Sequence, residues 1–222
     1  MTKDNFPNKA LRTSRIGVFA SLYVITSIIP ISMFIGAPSF LALNLIITPV
    51  MAILLSPSEA FFASLFGGII AFYVVPSQAM FGPYTILLPI VGATFGSLTY
   101  HKRKIGTLLT SLFLAFAISA YIIKNYPFPY FVVPHSVAII LAIFGTIRKM
   151  TPLHVKIPIY TYISTMSEQG MMMILAVHLL GLPWQIFTGI LPLMVYERIT
   201  GTLGATVISI SLLSIIPKYL HT

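Results

Sequence analysis

No cysteine occurs in this 222-residue chain, which excludes disulfides, thiol catalysis and cysteine-ligated metals. Carboxylates are nearly as scarce, with four Asp and Glu against thirteen Lys and Arg. A catalytic carboxylate pair or a metal centre therefore requires distant residues to converge. The GxxxxGK[ST] pattern that cradles nucleotide phosphates is missing, and so are HExxH and GxSxG. His135, His154 and His178 are scattered along the chain, and His154 falls in a basic loop. These absences point away from an enzyme, so no catalytic residue, metal or cofactor is expected. Charge of either sign is sparse at 8% of residues, against about 25% in soluble domains.

What remains is apolar. Hydrophobic residues make up 57% of the chain, more than a water-soluble fold of this length can hide, so the expected solvent is largely lipid. The formal charge of +9 then reads as cytoplasmic flanks of membrane segments rather than as a nucleic-acid footprint. The fold class expected is all-α, a polytopic membrane helix bundle with six to eight transmembrane helices. Residues 1–222 are read as a single integral membrane domain, preceded by a cytoplasmic tail over 1–14 that does not resemble a cleaved signal.

A spanning helix needs about 20 mostly apolar residues. Eight such segments are expected near 15–36, 39–55, 58–75, 84–100, 105–124, 131–147, 157–181 and 192–217. Membrane strands are a poor alternative, because the runs are uniformly apolar and do not alternate. Ser56-Pro57-Ser58-Glu59 reads as an N-cap, a first-turn proline and a capping-box glutamate. "FGPY" (81–84), "NYPFPY" (125–130) and "GLPW" (181–184) read as turns. The segment 181–192 is open between a loop, a re-entrant piece and an interfacial helix. Lys3, Lys9, Arg12 and Arg15 place the N-terminus in the cytoplasm. Eight crossings then put Lys102, Arg103 and Lys104, then Arg148, Lys149 and Lys156, and finally Lys218 on that same side. Both termini are thus expected to be cytoplasmic, in a multi-pass protein of the cell membrane.

Ionisable groups inside a membrane cost about 2.5–3.5 kcal/mol each on insertion scales and face a bundle interior or a cavity. Glu197 and Arg198 sit side by side in the last segment, roughly 8–9 Å from its outer end at 1.5 Å per residue. Asn44, His135 and His178 fall near the same level, and Gln78, Tyr84, Trp184 and Gln185 lie in the outer loops. The expectation is one polar layer in the outer third above a dry inner part. Each residue also has a structural reading. Glu197 and Arg198 can neutralise one another or snorkel, Asn44 and His178 can bond helices together, and Tyr84 and Trp184 suit an aromatic belt. Glu168 lies near the bilayer centre beside a Met run, either as a packed, hydrogen-bonded acid or as a ligand or proton site.

Three stretches carry a resemblance. They are the basic tail entering "IGVFASLYVITSIIP", the span "LNLIITPVMAILLSPSEAFFASLFGGIIAFYVV" followed later by "ILLPIVGATFGSLTYHKRK", and "GILPLMVYERITGTLGATVISISLL". In these the chain resembles the substrate-binding S component of energy-coupling-factor (ECF-type) vitamin transporters. The likeness covers about half the chain. The family has a small-residue AxxxA pattern in its first helix, and Gly17 and Ser21 hold comparable places here. It has six helices, so the hairpin over roughly 105–147 counts as an addition.

The resemblance implies capture of a small vitamin-like substrate near the extracellular face. It also implies docking through Gly17 and Ser21 on a transmembrane coupling subunit driven by two ABC-type ATPases. The substrate-binding candidates are Asn44, Gln78, Tyr84, His135, Glu168, His178, Trp184, Glu197 and Arg198, with lipid as the surrounding medium. A self-sufficient secondary transporter using Glu168 is the alternative, and an intramembrane enzyme a more distant one.

Overall fold

The computed structural model describes residues 6–33, 40–147 and 152–215. Within them lie eight α-helices and one small ribbon: α1 (Phe6–Ser27), β1 (Pro30–Met33), β2 (Phe40–Ala42), α2 (Asn44–Leu54), α3 (Pro57–Val74), α4 (Leu87–His101), α5 (Arg103–Asn125), α6 (Val133–Ile147), α7 (Leu153–His178) and α8 (Trp184–Ile215). The chain folds as an all-α bundle. Four helical stretches are long and apolar enough to cross a membrane: Pro57–Val74, Arg103–Asn125, Pro129–Ile147 and Trp184–Ile215. They mark a membrane protein. Large apolar side chains such as Val18, Phe66, Leu112, Phe116, Ile140 and Val207 stand exposed around the bundle, a belt that water would not tolerate over so wide an area.

Successive helices alternate in direction. Thr99 of α4 bonds Thr110 of α5 at 2.7 Å, Tyr160 of α7 donates to the Gly145 carbonyl of α6, and the α7–α8 pairs Thr161–Thr206 and Thr165–Thr202 run antiparallel. The end of the bundle holding the α2–α3, α4–α5 and α6–α7 connections gathers Arg12, Arg103 and Lys156, with the Lys156 ammonium 4.1 Å from the Tyr100 ring centre. We refer to this as the basic end, and to the other as the ribbon end. Lys3, Arg148, Lys149 and Lys218, and both chain termini, lie outside the described residues.

Local chemistry explains most boundaries. α3 begins as its sequence dictates: the Ser56 backbone N–H and hydroxyl both donate to Glu59 Oε2, at 2.9 and 2.6 Å, and Pro57 occupies the first helical position. Ser56→Ala is expected to lower stability by about 1 kcal/mol, measurable as a shift in the unfolding midpoint of the purified protein. Arg12 reaches the same corner, donating to Ser58 Oγ at 3.0 Å and lying 3.7 Å from Glu59. Residues 6–14 are therefore the first turns of α1 rather than a free tail, and Arg12 docks them on α3.

Three further expectations are corrected. The first helix ends at Ser27, not 36, because Pro30 disfavours helical geometry just before it. The Thr26 and Ser27 hydroxyls turn back onto carbonyls of the last turn. The chain then forms the antiparallel ribbon β1–β2, with Pro30 opposite Ala42 and Met33 opposite Phe40. α2 accordingly starts late and has 11 residues, roughly 16 Å long. It is apolar all round and buried from Leu45 to Ile53, an inner helix rather than a spanning one. Finally, residues 184–191 continue α8, which runs unbroken through Pro192 for 32 residues.

Candidate functional site

The longer α8 and shorter α2 move the polar layer. Glu197 and Arg198 lie about 20 Å from the start of α8, near its middle. Asn44 is the first residue of a helix that starts inside the bundle, where Leu45 packs on Gly201 of α8. Glu197 and Arg198 are thus central, not in the outer third. The basic half is not devoid of polar atoms either. It holds hydroxyls that bond one another or the helix backbone, such as Thr99–Thr110 and Ser97 to the Leu55 carbonyl at 2.7 Å.

A cavity of about 70 Å³ opens beneath the ribbon, walled by Tyr23, Asn44, Gln78, Thr85, Glu168 and Met172 among others. Its rim is a closed hydrogen-bond set. Asn44 Nδ2 donates to Ser27 Oγ at 2.9 Å and to Gln78 Oε1 at 3.4 Å. Gln78 Nε2 donates to the Ser27 carbonyl, and Ser27 Oγ donates to the Tyr23 carbonyl at 2.7 Å. Gln78 is supplied by a short 3-10 turn, Pro76–Gln78, so the α1 end, the α2 start and the α3–α4 connection are tied together here.

Glu168 enters from α7. It reaches the cavity because α4 carries glycine where it crosses: a Cβ at Gly92 would stand 2.8 Å from Thr48 Cγ2 and 2.9 Å from Glu168 Cβ, closer than real atoms pack. Ser164, one turn along α7, donates to the Gly92 carbonyl at 2.9 Å and fixes the register. Glu168 is 7% exposed, and its Oε2 has no hydrogen-bond partner among the described residues.

Behind Glu168 lies the rest of the charge. Arg198 is 1% exposed and holds one bond, Nη1 to the Thr165 carbonyl at 3.4 Å, while its Nε and Nη2 have no partner. Glu197 Oε1 and Gln169 Oε1 are likewise buried and unpartnered. Arg198 acts electrostatically on Glu168, Glu197 and His135 alike. Yet the only ion pair within 4 Å among the described residues is Arg12–Glu59. His135, fully buried, packs on the Phe131 ring with centres 6.3 Å apart.

A second cavity, of about 210 Å³, adjoins the first through the shared walls Met80, Phe81 and Met172. It is apolar apart from Gln169, is backed by Phe131, Phe187 and Met173, and reaches the α7–α8 turn at Leu180 and Leu182. Phe131, Phe187 and Tyr121 brace one another with ring centres 4.9–5.5 Å apart, and the Tyr121 hydroxyl is fixed on the Phe128 carbonyl at 2.9 Å.

The structure thus brings Asn44, Gln78 and Glu168 together and sets Arg198, Glu197 and His135 behind them. Tyr84, Trp184 and His178 stand apart. Tyr84 is exposed on the turn Gly82–Ile86. Trp184 is half-buried at the start of α8, and His178 lies outside, its Nε2 3.1 Å from the Ala120 carbonyl in an apolar crevice between α5 and α7. Gly17 and Ser21 are exposed on α1, where a Cβ at Gly17 would meet nothing within 4 Å. They leave the chain's own helices untouched.

Sequence reasoning passed over Tyr23, Ser27, Thr48 and Thr85. The pairs Tyr23/Ser27 and Asn44/Thr48 repeat polar groups at a spacing of four inside apolar helices, which sets each pair on one face and was the available signal. No protein-family model matches the chain, and neither a curated protein nor a solved structure shows significant similarity to it.

Proposed function

We propose that this chain is the membrane-embedded substrate-binding subunit of an ATP-driven importer, a multi-pass protein of the cell membrane with both termini in the cytoplasm. It captures a small vitamin-like nutrient near the extracellular face and docks on a transmembrane coupling subunit with two ABC-type ATPases. The observation that carries this reading is the cavity beneath the ribbon, where Glu168 presents an unpartnered oxygen beside the hydrogen-bonded amides of Asn44 and Gln78. Buried polar atoms without partners are uncommon, and a bound molecule that supplies the missing donors accounts for them. The sequence lacks the GxxxxGK[ST] pattern, which fits an energy source supplied by separate ATPases.

Docking is assigned to the exposed Gly17/Ser21 face of α1, since small residues let a partner helix approach closely. Gly17→Leu is expected to leave folding and ligand binding at wild-type level while abolishing co-purification with the coupling subunit. Lost binding, or intact co-purification, counts against the assignment. The main test is native mass spectrometry of the purified chain, which should show a small molecule bound without nucleotide.

A second reading, a self-sufficient ion- or proton-coupled transporter, is favoured by the central position of Glu168. It requires uptake by this chain alone in liposomes, abolished by Glu168→Gln.

A further inference from the structure

We propose that the bound molecule is an amphipathic cation: an ammonium or amidinium head against Glu168, and a flat apolar body in the adjoining Phe131/Phe187 chamber. This rests on the binding-subunit reading above and names its substrate class.

The hydrogen bonds already made in the cavity wall show which acceptors are left open to the head. The Ser27 carbonyl can only accept, so Gln78 must point its Nε2 at it and its Oε1 at Asn44. Asn44 must then spend its Nδ2 on Gln78 Oε1 and Ser27 Oγ. Asn44 has thus consumed both of its donors within the wall, and Gln78 one of its two. What Asn44 has left is Oδ1, an acceptor, and Glu168 Oε2 is another acceptor with no partner. The Thr85 hydroxyl accepts from the Phe81 backbone at 3.1 Å and keeps its proton, and the Tyr23 hydroxyl and the second N–H of Gln78 are further donors in the wall, so hydrogen bonding offers the head both kinds of partner and charge has to decide. A head bearing N–H groups would meet the two open acceptors, Glu168 Oε2 and Asn44 Oδ1.

Charge points the same way. The central layer holds two carboxyls, Glu168 and Glu197, and one guanidinium, Arg198. That guanidinium is anchored on Thr165 and lines a different crevice, between α6 and α8 with Val137 and Tyr162. It is absent from the walls of the Glu168 cavity, so an anionic head would meet a carboxyl there and no cation in the wall. A monovalent cation instead balances the second carboxyl and forms a charge-assisted hydrogen bond where the surroundings exclude water.

The body follows from the neighbouring chamber. Its volume of about 210 Å³ is three times that of the head cavity, and the thioethers of Met80 and Met172 separate the two. Flexible methionines adapt to a ring between them, and Phe187 and Phe131 offer faces and edges for it.

The test uses the purified full chain in detergent and three indoles of one shape and different charge: tryptamine, tryptophol and indole-3-acetate. Calorimetric titration is expected to show tryptamine binding roughly tenfold or more tighter than tryptophol, with indole-3-acetate weakest. Glu168→Gln should bring tryptamine and tryptophol to equal affinity. Phe187→Ala should weaken both alike. Should Glu168→Gln fail to fold, Gln78→Leu, on a short surface turn, is expected to shrink the tryptamine advantage, and an unchanged ratio overturns the proposal. Equal binding of tryptamine and tryptophol by the wild type also overturns it, as does a preference that survives Glu168→Gln.

Saturable binding in which the neutral or anionic indole wins overturns the cation class and leaves the binding-subunit reading standing. If none of the three binds, the charge of the co-purified molecule decides: a cation supports the proposal, and a neutral or anionic molecule overturns it. No indole binding together with no co-purified molecule overturns both.

Discussion

Replacing Glu168 and Glu197 together by glutamine is expected to destabilise the bundle by about 3–5 kcal/mol, the range for stranding a buried charge, whereas Arg198→Met is expected to cost a fraction of that. The asymmetry comes from what each group can do when left alone. A carboxyl deprived of its cation can take up a proton and become neutral. A guanidinium cannot give one up. Arg198, 1% exposed and with a single hydrogen bond, would then remain as a fixed charge in the middle of the fold. Adding Arg198→Met to the double glutamine variant should recover most of the loss. Unfolding in mixed micelles, followed by circular dichroism, reads all four proteins. Arg198→Met proving more harmful than the double glutamine variant would show that the carboxyls are not what keeps the guanidinium in place.

The second large effect is expected at Gly106, one turn into α5. A Cβ there would overlap the Leu98 carbonyl and stand 2.6 Å from the Thr99 nitrogen. The obstacle is backbone, which cannot rotate away as a side chain would. The tight α4–α5 corner, where Thr99 bonds Thr110, therefore has to open. Gly106→Ala should reach or exceed the upper end of the about 1–3 kcal/mol known for overpacking. Gly17→Ala, meeting no atom within 4 Å, serves as the control. A Gly106→Ala protein that unfolds like the control would mean that the corner relaxes without loss.

Much of the fold was legible because membrane helices announce themselves by length and uniform apolarity. Ser56-Pro57-Ser58-Glu59 also fixed a helix start to the residue, through side chains that act on their own backbone. Two boundaries went astray for local reasons. Pro192 reads as a helix entry, yet α8 passes through it, because a bundle can tolerate one missing N–H in a long helix. The stretch around Pro30 reads as more helix because its residues are apolar, and nothing in its hydropathy distinguishes a ribbon from a turn of helix. These two errors set the depth of the polar residues wrongly, since depth was counted from the helix ends.

The members of the site were more legible than their arrangement. Asn44, Gln78 and Glu168 stand out as polar residues in apolar surroundings. That Arg198 faces a different crevice from the one Glu168 lines follows from helix rotation, which hydropathy does not encode. Tyr23 and Thr48 are commonplace in membrane helices and became notable only when the crossing at Gly92 set Thr48 against Glu168.

The 32 residues of α8 extend roughly 48 Å, against a hydrocarbon layer of about 30 Å. Fitting that length wholly within the layer would demand an inclination of about 50°, beyond the usual 0–40°. The excess length therefore has to stand beyond the hydrocarbon, and Trp184, the first residue of α8, suits the headgroup level where indole rings prefer to reside. A ring held at that level would act as a float that sets how deeply the guanidinium of Arg198 is immersed, and lipids with longer or shorter acyl chains would shift that immersion.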